Sequence, residues 1–122
     1  MQSKQKKILV VDDEPDILEF LQELLKLEGY DVATTDKAEY VEKLHNDNLP
    51  DLILLDVLLS GKDGREIVKH LKSQEETRSI PMIMFSAHPS AEVTVLAAGA
   101  DDFVAKPFEI AEILEKIAEH IK

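Results

Sequence analysis

No cysteine occurs among the 122 residues. That excludes disulfides, thiolate metal sites and cysteine nucleophiles, and it fits a reducing compartment. Basic charge is also scarce, with 14 Lys and Arg against 25 Asp and Glu and a formal net charge of −11. Direct binding to nucleic acid or to an anionic membrane surface is therefore disfavoured, because both need an excess of cations. Long apolar runs are missing too. The stretch after the basic start Met1-Gln2-Ser3-Lys4-Gln5-Lys6-Lys7 ends at Asp12, too short for a signal-peptide core or a membrane span. The expectation is a soluble, cytoplasmic chain with a basic tail over about residues 1–6. Repeats, low-complexity tracts and long linkers are absent, and residues 1–122 read as one domain, long enough to bury roughly two thirds of its unfolded surface.

What is present is alternation. Short apolar runs at about Lys7–Val11, Asp31–Thr35, Leu52–Leu55, Met82–Phe85 and Asp102–Ala105 alternate with helical periodicity, which predicts a parallel sheet with helices on both faces. Pro15 suits the first turn of a helix carrying Ile17, Leu21, Leu24 and Leu25 on one face, and Gly29 suits its stop. Asp36 with Glu39 and Asp63 with Glu66 have capping-box spacing. The first opens a helix with Val41 and Leu44 that fades near Asn46-Asp47-Asn48, the second a helix with Ile67, Val68 and Leu71. A short helix is predicted over about Ser90–Ala98, and a last one with Ile110, Ile113, Leu114, Ile117 and Ile121 as a single buried stripe. Its other face, with Glu112, Glu115, Lys116 and Glu119, reads as solvated surface.

The strands end in chemistry. Asp12 and Asp13 follow the first run, Asp56 ends the third, Ser86 the fourth and Lys106 follows the fifth, and in open α/β sheets ligands bind beyond the carboxyl ends of the strands. Two carboxylates ~4 Å apart repel by roughly 4 kcal/mol at an effective dielectric of about 20. A divalent cation would answer that repulsion, and oxygen-only ligands favour Mg²⁺ or Mn²⁺ over zinc. Asp12-Asp13 alone reads as a pair of solvated cap acids; Asp56 turns the reading toward metal. Asp56, ending a central strand, can attack phosphorus and form an acyl phosphate, or be a plain strand-end acid. Lys106 can pair with a phosphoryl oxygen or be an ordinary loop lysine. Ser86 can donate a hydroxyl to phosphate and can also form the turn after its strand. His45, His70, His88 and His120 have no partner acid at readable spacing and read as surface residues.

From about Lys6 to the C-terminus this set resembles the receiver domains of two-component response regulators, including the chemotaxis regulators. The resemblance is carried by Val10-Val11-Asp12-Asp13-Glu14, Leu54-Leu55-Asp56-Val57 with Gly61 and Gly64, Ser86-Ala87 and Lys106-Pro107-Phe108. It implies a flavodoxin-like (βα)5 three-layer sandwich with a five-stranded parallel sheet in the order 2-1-3-4-5. By the same resemblance Asp56 takes a phosphoryl group from the phosphohistidine of a sensor histidine kinase or phosphotransfer protein. The protein is then a signalling phosphoacceptor with only self-phosphorylation and self-dephosphorylation chemistry. Mg²⁺, with Mn²⁺ as a substitute, is held by Asp13 directly, Asp12 through a water, Asp56 and the backbone carbonyl of Leu58. Ser86 and Phe103 are the switch pair, although Phe103 reads equally as a packed core aromatic. Leu58 and His88 tune phosphoryl lifetime, and Lys106-Pro107 is a candidate cis peptide. The fourth helix, fifth strand and last helix form a surface for a downstream protein.

Two positions depart from the family pattern: Phe103 stands where many members have Tyr, and Ser60 where Pro is frequent, which predicts a more flexible loop. Other readings fare worse. A haloacid-dehalogenase-type phosphatase needs a second Asp two residues after the nucleophile, where this chain has Leu58. A flavin or nucleotide binder needs a Gly- or Ser/Thr-rich first loop, whereas Asp12-Asp13-Glu14 would repel phosphate. A scaffold that kept only the fold would not need the acids, Ser86 and Lys106. No output domain is present in these residues.

Overall fold

The computed structural model describes residues 5–44, 49–59 and 61–121. In chain order these form β1 (Lys7–Val11), α1 (Pro15–Leu27), β2 (Asp31–Thr35), α2 (Ala38–Glu42) and β3 (Leu52–Asp56). A small antiparallel pairing of Leu58–Leu59 with Lys62–Asp63 follows, then α3 (Gly64–Lys72), β4 (Met82–Ser86), a 3-10 turn (Pro89–Ala91), α4 (Glu92–Ala97), β5 (Asp102–Ala105) and α5 (Ile110–His120). The five long strands form one parallel sheet in the order β2-β1-β3-β4-β5, the flavodoxin-like order expected.

Period-two alternation sorts the strand side chains between two cores. Ile8, Val10, Leu52, Leu54, Ile83, Phe85 and Val104 pack against Leu21 and Leu25 of α1 and Ile113 and Ile117 of α5. Leu9, Val11, Ile53, Leu55, Met82, Met84 and Phe103 pack against Val41 of α2, Ile67, Val68 and Leu71 of α3, and Val95 of α4. Each such side chain contributes about 1.5–3 kcal/mol by leaving water. β3, buried at every residue, is central because it has no polar face to offer solvent.

Register positions the site. Val11 of β1 lies beside Leu55 of β3, so Asp12 and Asp56 come next at the same level. Asp56 in turn lies beside Phe85, and Ser86 beside Ala105, which brings Ser86 and Lys106 to the same rim.

Local stops follow the sequence in some places and not in others. Pro15 opens α1. Gly29, at φ +93°, closes it, with the Tyr30 N–H donating to Leu25 O (3.1 Å) and the Gly29 N–H to Lys26 O (3.0 Å). The Asp36–Glu39 capping box does not form: Lys37 is the cap of α2 without a side-chain bond, and Thr35 Oγ1 takes the Lys37 N–H at 3.0 Å. The Thr35 hydroxyl thus holds the turn through Asp36, the helix begins one residue later than the box requires, and α2 stops at Glu42. Asp63 does cap α3 through the Arg65 N–H (2.9 Å), but Glu66 completes no box and pairs with Lys69 at 3.4 Å. The predicted helix near Ser90–Ala98 begins as a 3-10 turn and is α-helical only over Glu92–Ala97. In α5, Ile113 and Ile117 are buried, whereas Ile110, its first residue at the carboxyl edge of the sheet, is 46% exposed and leaves the expected stripe. The expectations for Ser60, His45, Asn46-Asp47-Asn48 and the start of the basic tail lie outside the described residues. Among the described residues no helix is long and apolar enough to cross a membrane.

Candidate functional site

At the carboxyl rim of the sheet, Asp12, Asp13 and Asp56 each offer a carboxylate oxygen within 4.8 Å of the others. Asp12 and Asp56 are buried, and Asp13 is more open. The Asp12 carboxylate accepts the Glu14 N–H at 2.9 Å, and that of Asp56 accepts the Leu58 N–H at 3.3 Å. Lys106 lies between them, its Nζ donating to Asp12 Oδ2 at 3.2 Å and Asp56 Oδ2 at 3.3 Å, with Glu14 Oε1 at 3.6 Å. Its ammonium sits 5.0 Å from the centre of the Phe85 ring, which Phe108 meets edge-on at 6.0 Å. The Lys106–Pro107 peptide is cis, as expected.

One ammonium faces three carboxylates, so the cluster keeps excess negative charge. Burial, with the charge of Asp56 adding to it, raises the Asp12 pKa to about 6 against the lowering effects of the Glu14 N–H and Lys106. Burial works to lower the Lys106 pKa, but the charges of Asp56 and Asp12 outweigh it and raise the value. A hard divalent cation fits this all-oxygen donor set. Because ligation needs the ionised form, its binding would release the proton that Asp12 holds below about pH 6.

Ser86 is buried at the end of β4, and its hydroxyl oxygen accepts the His88 N–H at 3.0 Å, so the serine does form the turn after its strand. Phe103 is packed inside the core face under α3 and α4. Leu58 is 58% exposed, and with Arg65, Ser86 and exposed His88 it lines a shallow groove beside Asp56. His70 is exposed. His120 does have an acid partner: its Nε2 lies 3.1 Å from Asp102 Oδ2, and Lys116, expected in solvent, donates to Asp102 Oδ1 at 2.8 Å. Asp102 opens β5 at the opposite rim from Asp56, so this cluster is structural.

Two contributors escaped the sequence reading. Phe85, an ordinary core aromatic by pattern, carries the Lys106 ammonium. Gly64, legible only as a loop marker, opens α3 against the end of β3: its N–H donates to Val57 O at 2.6 Å. A Cβ there would collide with the backbone oxygen of Asp56 and lie 2.9 Å from Met84 Cε.

The family model for the response regulator receiver domain matches residues 8–118. A putative response regulator from Chloroflexus aurantiacus J-10-fl is 32% identical, with 97% of this chain and 98% of that one covered and a TM-score of 0.90. TrrA from Thermotoga maritima, solved in complex with Mg²⁺-BeF, is 32% identical over 94% of this chain and 98% of its own (TM-score 0.84). The receiver domain of the sensor histidine kinase PA1611 from Pseudomonas aeruginosa PAO1, with a magnesium ion in its active-site cleft, is 27% identical over 97% and 98% (TM-score 0.81). The chain belongs to the response regulator receiver domain family of two-component signalling.

Proposed function

We propose that a carboxylate oxygen of Asp56 attacks the phosphorus of a phosphohistidine on a sensor histidine kinase or phosphotransfer protein. The P–N bond breaks, the imidazole leaves with its electron pair, and Asp56 carries an aspartyl phosphate. Asp13, Asp12 through a water, Asp56 and the Leu58 carbonyl would hold Mg²⁺, with Mn²⁺ as a substitute; when bound, the ion offsets the charge of the transferring phosphoryl oxygens. Lys106 leaves its carboxylate partners to pair with a phosphoryl oxygen, and the Ser86 hydroxyl donates to another. Phe103 follows Ser86, and the surface of α4, β5 and α5 meets a downstream protein. Val93, 77% exposed, with Leu96 and Ile110 gives that surface its apolar ground. The excess acid supports a cytoplasmic role with no direct nucleic-acid or membrane contact. Residues 1–122 serve as one receiver domain, and turnover is limited to slow self-dephosphorylation.

The observation that carries this reading is the meeting of Asp12, Asp13 and Asp56 around Lys106. Intact-mass analysis after incubation with acetyl phosphate tests it. One added phosphoryl mass is expected with Mg²⁺ and none with a chelator, and labelling that ignores Mg²⁺ would overturn the metal-assisted mechanism.

Leu58 and His88 flank the water approach to Asp56. We expect Leu58→Asn and His88→Ala each to speed loss of the phosphoryl mass by about tenfold, equivalent to ~1.4 kcal/mol of barrier. A decay rate unchanged in both variants would remove shielding as their role.

A further inference from the structure

Arg65, in the first turn of α3, divides its guanidinium between two elements. Nε and Nη2 donate to the Asp63 carboxylate at 2.9 and 2.7 Å, and Nη1 donates to the Thr94 hydroxyl of α4 at 2.8 Å. The pairing holds the Asp63 carboxyl below its ordinary range, so the fork is fixed at the head of α3. α4 has little else to hold it. It buries only Val95 fully, and Leu96 is 44% exposed. Apart from the Thr94 hydroxyl donating to Ala91 O of the adjoining 3-10 turn at 3.0 Å, the Arg65–Thr94 bond is, among the described residues, the one side-chain hydrogen bond joining α4 to another element.

The chain entering α4 comes directly from Ser86. The Ser86 hydroxyl oxygen holds the His88 N–H, His88 caps the 3-10 turn, and the turn runs into Glu92. A shift of the Ser86 hydroxyl toward Asp56 must carry or release that amide, and the displacement passes along the turn to Thr94. Arg65 resists it from α3, whose Gly64 is seated against the end of β3.

We infer that Arg65 is a positioning residue whose bond to Thr94 holds α4 in its unphosphorylated place and so sets the equilibrium of the phosphoryl switch. This rests on the reading of Asp56 as phosphoacceptor. A ligand that needs the shifted state binds with an apparent Kd raised by the scarcity of that state, and cutting the tether makes the state commoner.

The test uses the whole chain with Mg²⁺ and trifluoroberyllate as the phosphoryl probe, followed by amide NMR. Half-saturation is expected at about threefold to tenfold lower probe concentration in Thr94→Val and in Arg65→Met, the range for one partly exposed bond to a charged donor. The Arg65–Thr94 bond is what the two changes share, since Arg65→Met also frees Asp63 and Thr94→Val also frees Ala91 O, so the double variant should fall clearly short of the product of the two single effects. Thr94→Ser, which keeps the hydroxyl, should match wild type, and Mg²⁺ alone should bind all variants equally. Faster amide exchange over residues 92–97 should accompany Thr94→Val. An unchanged or raised midpoint in both single variants, or a Thr94→Ser protein that behaves as Thr94→Val, would overturn the tether. A wild type that binds Mg²⁺ but neither trifluoroberyllate nor phosphoryl would instead sink the phosphoacceptor reading and the tether with it.

Discussion

Asp56→Asn is expected to gain no phosphoryl mass from acetyl phosphate and Mg²⁺, while folding more stably than wild type when no divalent cation is present. The loss follows from chemistry: an amide oxygen is a poor nucleophile, and no second buried carboxylate occupies the end of β3. The gain in stability follows from charge. Asp12 and Asp56 share one ammonium, at 3.2 and 3.3 Å, and the Asp56 charge is among the causes that raise Asp12 to about 6. Asparagine keeps an oxygen for the Leu58 N–H and removes that repulsion, leaving Lys106 to Asp12 and the more exposed Glu14. About 1–2 kcal/mol of added stability at neutral pH is a moderate share of the roughly 4 kcal/mol that two close charges exchange at a dielectric near 20.

The pH dependence has a definite sign. A carboxyl group whose folded pKa of about 6 exceeds its ordinary 3.8 favours the fold below the lower value. That contribution is lost as pH rises through the higher one. The advantage of Asp56→Asn should therefore grow between about pH 4 and 6 and stay level above. Thermal melts in chelator at pH 5 and 7.5 check it. A phosphoryl mass on the variant would mean a different acceptor, and a variant less stable than wild type at pH 7.5 would mean that the carboxylates do not strain the metal-free fold.

Gly64→Ala is expected to destabilise the protein by about 3 kcal/mol, the upper part of the usual range for overpacking. The added methyl meets the Asp56 backbone oxygen and Val57 O, neither of which can rotate away as Met84 Cε can. Relief requires α3 to back off from β3, which also displaces Asp56. Phosphorylation should then slow by up to about 10²-fold, the usual consequence of misplacing a reacting group by an ångström. Gly61 is the control. It has φ +71° but open space around it, so Gly61→Ala costs only about 1 kcal/mol of left-handed backbone strain. Urea midpoints compare the two, and a Gly64→Ala loss no larger than that of Gly61→Ala would show that α3 takes up the added methyl without strain against the end of β3.

Much of this protein is written locally. The short, wholly apolar runs Ile8–Val11 and Leu52–Leu55 mark the strands, and Pro15 and Gly29 bracket α1, because side-chain polarity and backbone freedom act within a few residues. The caps were less legible: Asp36 and Glu39 have capping-box spacing, yet α2 starts one residue later, with Lys37 at the cap and its N–H on Thr35 Oγ1. Phe103 admitted two sequence readings, and its burial in the core is compatible with both.

The sequence by itself determined the strands and helices, the buried faces and the acids, serine and lysine that end the strands, since these depend on short-range pattern. Only the tertiary structure decided which heads meet. Lys106 reaches across 94 residues to Asp12 and 50 to Asp56, Arg65 finds Thr94, and His120 finds Asp102. Those meetings depend on strand order, register and helix placement, which the packing of the whole sheet settles and no local stretch of chain encodes.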